Sequence, residues 1–213
     1  MATPTLFRTV SKPGIDLDRL AKRIVGRPAQ LEDALAGLER QEPKIKYGCA
    51  KLLQRMAEIA PELLYQEFPR FTGMLAHENQ FLRCHAIRIL AQLSRVDDRR
   101  RFEEVFDRFF APIAGPALIP AVHAIESGAT VAVAKPKLTE RTITAILRVR
   151  RARYRTTECR HIACGKAVES LGRFFEQADD RDRVLRFVRG QLRSSRPATR
   201  KKAARFLKHF SGR

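Results

Sequence analysis

Apolar residues recur along this chain at steps of three and four. Leu82, Ala86, Ile89 and Leu93 follow that spacing, and Cys164, Val168, Leu171 and Phe175 repeat it. Residues so spaced fall on one side of a 3.6-residue turn, so each set predicts one buried helical stripe. No stretch of useful length alternates with the period of two that a half-buried strand requires. The pattern therefore predicts an all-α chain. Residues 1–14, with Pro4, Pro13 and Gly14, lack the periodicity and predict a flexible N-terminal arm. Residues 15–213 are then expected as a single domain.

A longer period sets the expected architecture. Five segments share an alanine followed mostly by apolar residues, beginning at Cys49, His85, His123, Lys166 and Lys202. Their alanines are Ala50, Ala86, Ala124, Ala167 and Ala203, separated by 36, 38, 43 and 36 residues. Such a period marks stacked helix pairs, because one pair cannot bury its apolar stripe alone. A small residue at the same place in each unit lets neighbouring helices approach closely. The intervening segments, near 29–40, 62–76, 101–110, 138–151 and 181–192, supply the first helix of each pair. Pro69 lies inside the second of these and is expected to kink it. Ala111–Ala134, the least polar run, reads as a loop followed by a buried helix; its prolines, His123 and Glu126 make it too polar to span a bilayer.

On these residues the chain resembles the HEAT-repeat proteins of the HEAT and armadillo superfamily, over about 29–210. The best local match is LRCHAIRIL, with Arg83 three residues before Ala86; Arg200 stands likewise before Ala203. Tyr47, Ala121 and Cys164 occupy that place in the other units. The resemblance implies a right-handed α-α superhelix of about five helix pairs. It also implies a binding scaffold whose second helices line a concave surface.

Charge narrows the partner. The chain carries 42 Lys and Arg against 23 Asp and Glu, a net +19. Residues 141–213 hold 21 basic and 6 acidic groups, a net +15, and no acid follows Asp182. A field concentrated in this way points to a polyanionic partner, nucleic acid first and an acidic protein second. The densest run is Arg148, Arg150, Arg151, Arg153 and Arg155, with Tyr154 among them. Cations at a helix C-terminus oppose the negative end of its dipole, but that effect fades within a turn and does not need five. The planar guanidinium suits phosphate. A wheel centred on each repeat alanine places Lys166, Arg173, Lys201 and Arg205 in the sector away from it, with Glu126, Glu169 and Glu176 interspersed. Arg200 and Lys202 complete the expected nucleic-acid contacts.

Catalytic chemistry is sought and not found. Cys159, His161 and Cys164 have a ligand-like order, yet on a helix they diverge, so no metal is expected. There is no glycine-rich phosphate loop and no nucleophile-elbow context. The aspartate pairs at 97–98 and 179–180 read as helix caps. No cofactor and no small-molecule substrate are indicated. The start MATPTLFRTV lacks the apolar core of a secretory signal, and four cysteines in helix-like stretches read as reduced thiols, so a cytoplasmic protein is expected. The competing enzymatic reading is a HEAT-like alkylated-base DNA glycosylase, which needs aromatic residues and a carboxylate in a cleft; the chain has no Trp. The expectation is thus a non-catalytic scaffold that binds nucleic acid through phosphate contacts, with an acidic protein as the alternative partner.

Overall fold

The computed structural model describes residues 5–210 and contains twelve α-helices, with no β-strand among the described residues. The chain divides into two compact units, Met1–Arg101 and Phe102–Arg213.

The first unit contains α1 (Thr5–Val10), α2 (Leu17–Ile24), α3 (Pro28–Ala36), α4 (Pro43–Ile59), α5 (Phe68–Met74) and α6 (Gln80–Leu93). Helix α4 packs against α2 on one side and α6 on the other. Ala50 and Ala86, the repeat alanines of α4 and α6, are fully buried together with Leu52, Leu53 and Leu90. The segment expected as a loose arm behaves differently over its described part. Residues 5–10 form a helix whose Leu6, Phe7 and Val10 are buried, and α1 packs on α3 and α4. Three apolar side chains at steps of one and three outweigh the helix-breaking residues around them; residues 1–4 of the expected arm lie outside the described residues. Helix α2 is not among the repeat-derived elements. Asp16 caps it by accepting the Arg19 N–H, 2.9 Å away.

Pro69 does not kink a continuous helix. Residues 61–67 form a 3-10 segment, and Pro69 lies in the first turn of α5. The backbone donor that proline lacks has no intrahelical acceptor at that position, so proline starts the helix instead of breaking it. Asp97 acts as expected of a cap: it accepts the Arg101 N–H at 2.9 Å and the Tyr65 hydroxyl at 2.6 Å.

The second unit is built from α7 (Arg101–Phe110, starting at the boundary), α8 (Leu118–Ala134), α9 (Thr139–Leu147), α10 (Thr157–Gly172), α11 (Arg181–Gln191) and α12 (Pro197–Phe210). Helices α8, α10 and α12 pack in that order, α9 covers α8, and α11 covers α12. Their alanines, Ala124, Ala167 and Ala203, are fully buried. Close approach is enforced at Gly165, where an added Cβ would stand 2.8 Å from the Thr199 hydroxyl of α12. Phe102, Phe106, Phe109 and Phe110 form a cluster of edge-to-face and tilted rings, with centroids 4.7–6.4 Å apart. Phe175, Phe206 and Phe210 form a second ring cluster.

Candidate nucleic-acid interface

The arginine run lies between α9 and α10. Residues 148–151 tighten into a 3-10 turn after α9, and Ala152 then extends the chain toward Thr156, which caps α10 by accepting the Cys159 N–H at 3.1 Å. Leu147, Val149 and Ala152 are buried, and they hold the segment to the core. The alternation of these small apolar anchors with arginines turns Arg148, Arg150, Arg151, Arg153 and Arg155 outward, and all five are exposed. None of the five side chains has a hydrogen-bond or ion-pair partner among the described residues.

Two contacts fix this ledge to the loop after α7. The Arg153 N–H donates to the Ala114 carbonyl at 3.1 Å, and the Tyr154 hydroxyl donates to the Ile113 carbonyl at 2.8 Å. The approach is tight enough to require glycine at position 115. Its φ is +96°, and a Cβ there would collide with the Arg153 carbonyl. Burial and its hydrogen bond make Tyr154 a packing residue, and desolvation pushes its phenol well above the usual range.

Tertiary structure adds a residue that the sequence did not single out. Arg183, in the first turn of α11, comes to the same place as Arg148, Arg150 and Arg151. The four arginines line a pocket of about 410 Å³ with Thr144 and Leu147, and no carboxylate shares that lining. Arg183 Nη1 donates to the Thr144 hydroxyl at 3.0 Å, and that hydroxyl donates to the Glu140 carbonyl at 2.9 Å. Two neighbouring carboxylates accept backbone N–H groups. Glu140 accepts the Asp179 N–H at 2.7 Å, and Asp180 caps α11 by accepting the Arg183 N–H at 3.0 Å.

The other six expected contacts are dispersed over α10 and α12, and two of them are ion-paired. Lys166 pairs with Glu126 at 2.7 Å, and Lys202 with Glu169 at 2.9 Å. Arg200 donates to the Ser194 and Ser195 carbonyls after α11. Arg196 pairs with Glu158. Arg173, Lys201 and Arg205 remain exposed, Arg205 beside a separate cleft with Phe206 and Phe210. The row of cations expected on the second helices is therefore broken. Its partners come from helices 33–40 residues earlier, about one repeat, which a single helical wheel does not display.

The metal-like trio diverges. His161 Nδ1 is hydrogen-bonded to Ser194 at 2.8 Å, Cys164 is buried and Cys159 is half-buried. No group of three or more His, Cys, Asp or Glu among the described residues is placed to hold a metal ion. His85 is tied to Gln54 at 2.8 Å and packs edge-on against Phe81. No helix among the described residues is long and apolar enough to cross a membrane.

Comparison with known proteins finds a structure of similar fold but no family. No protein-family model matches the chain, and no curated protein matches it. A crystal structure of an engineered protein from the Northeast Structural Genomics Consortium is similar in fold, with a TM-score of 0.56 at 15% identity, over 97% of this chain and 87% of that one.

Proposed function

We propose that this chain is a non-catalytic binding module of the HEAT-repeat type, its helix pairs stacked as a right-handed superhelix, and that it binds nucleic acid through the arginine ledge of the second unit. The observation that carries this reading is the ledge itself: five outward guanidinium groups without protein partners, on a backbone pinned to the preceding loop. A backbone fixed before a ligand arrives loses less freedom on binding, although the arginine side chains themselves still have to be ordered. The repeat-spaced alanines and the one-repeat span of the Lys166 and Lys202 ion pairs support the stacked architecture.

The test is anisotropy of a labelled oligonucleotide titrated with the full chain at several salt concentrations. Five phosphate contacts on duplex predict a log–log slope of about −4 to −5. The reading fails if nothing binds at low salt, or if binding is indifferent to salt. In that case, a co-purifying acidic protein that survives nuclease treatment would take the place of nucleic acid as the partner.

A further inference from the structure

The five arginines of the ledge do not form one uniform surface. Arg148, Arg150 and Arg151 join Arg183 around the pocket, whereas Arg153 and Arg155 lie outside its lining. From this division we infer that the pocket receives the terminal phosphate monoester of a nucleic-acid strand, with Arg153 and Arg155 holding internal phosphates behind it. The inference rests on the nucleic-acid reading above and specifies which end chemistry that site selects.

Three features converge on a monoester. First, four guanidinium groups line one pocket of about 410 Å³ with no carboxylate among them, so their like charges add at the place an anion would occupy. Second, an internal phosphodiester brings one negative charge, whereas a monoester carries about −1.5 to −2 at neutral pH and offers three acceptor oxygens. Several arginine forks can bind those oxygens side by side in the bidentate manner. Third, the groups around the pocket are tied to one another or to backbone. The Thr144 hydroxyl takes a single N–H of Arg183, and Asp180 and Glu140 are committed to backbone N–H groups instead of closing over the guanidiniums. Arg183 belongs to a different element from the ledge, so it clamps the strand end from outside the run that tracks the backbone behind it.

Arg183 therefore separates the two claims experimentally. Three oligonucleotides of one sequence, ending in a 5′-phosphate, a 3′-phosphate or hydroxyls only, are titrated against the full chain and its Arg183→Ala and Arg183→Lys variants. One phosphorylated end is expected to bind at least tenfold tighter than the hydroxyl form, and the two phosphorylated arms show which end it is. Arg183→Ala weakens binding of all three oligonucleotides and brings the phosphorylated and hydroxyl-ended affinities to within about twofold of each other. Arg183→Lys, with the charge but not the fork, restores only part of the preference. Equal, salt-sensitive binding of all three oligonucleotides by the unaltered chain overturns the end-selective pocket and leaves the ledge reading intact. Absence of binding to any of them overturns both. Should Arg183→Ala melt at a lower temperature, Thr144→Ala, which unties Arg183 without removing charge, is expected to weaken the end preference by a smaller factor; an unchanged preference in both variants overturns the inference.

Discussion

Replacing Arg153 and Arg155 together by alanine tests whether the ledge, and not the net charge alone, binds nucleic acid. Both side chains are exposed and make no ion pair or side-chain hydrogen bond among the described residues. Their loss is expected to change folding stability by less than about 0.5 kcal/mol. Removing one neutralised phosphate takes about 0.9 off the salt slope on duplex, so the double variant should bind with a slope shallower by about 2. At about 1 kcal/mol for each exposed arginine–phosphate pair, affinity at low salt should fall roughly thirtyfold. The matched control is Lys166→Met with Lys202→Met. It removes the same two charges, but from groups already paired with Glu126 and Glu169. That control should leave the slope nearly unchanged. Anisotropy across a salt series, with thermal melts of every variant, reads both quantities. A slope equal to the parent's in the arginine variant would refute the reasoning, as would an equal loss in the lysine control, since only total charge would then matter.

Three further outcomes follow from the structure. Gly115→Ala places a side chain at φ +96° against the Arg153 carbonyl, and should destabilise the fold by about 1–3 kcal/mol while weakening oligonucleotide binding; denaturant melts showing no change would contradict the role of the loop in holding the ledge. Thr142 is fully buried and its hydroxyl has no hydrogen-bond partner among the described residues, so Thr142→Val should raise stability by about 1 kcal/mol; a clear loss in a urea titration would show that the hydroxyl is satisfied. Burial pushes the Cys49 thiol up to about 12 and those of Cys84 and Cys164 to about 11, from an ordinary 9.0. The folded state therefore keeps its protons after the unfolded chain begins to lose them. This contribution is complete below about pH 9 and is lost as pH climbs through 11–12. At pH 8 a thiol reagent should modify Cys159 alone in the native protein and all four cysteines in urea; rapid modification of a second native thiol would disprove the burial argument.

Much of the helical architecture was legible because it is local. The steps of three and four at Leu82–Leu93 and Cys164–Phe175 mark α6 and α10 without knowledge of any neighbour. The capping aspartates were readable for the same reason, since Asp97 and Asp180 each reach donors only a few residues away. Errors arose where a local signal had two outcomes. Proline breaks a helix interior but begins a helix equally well, and Pro69 took the second course once residues 61–67 became a 3-10 segment. At the start of the chain, Leu6, Phe7 and Val10 were too short a pattern to outweigh the nearby proline and glycine, yet α3 and α4 supply the surface that buries them.

By itself the sequence determined the all-α character, the recurring alanines and the concentration of positive charge in the last third, since each is a property of composition or of spacing within one helix. Only the tertiary structure decided which of those charges are available. It brought Glu126 to Lys166 and Glu169 to Lys202 across about one repeat, and it carried Arg183 to the arginines that follow α9. Whether a cation is cancelled or free depends on groups within a few ångströms in space, and here those groups lie about 30 to 40 residues away along the chain.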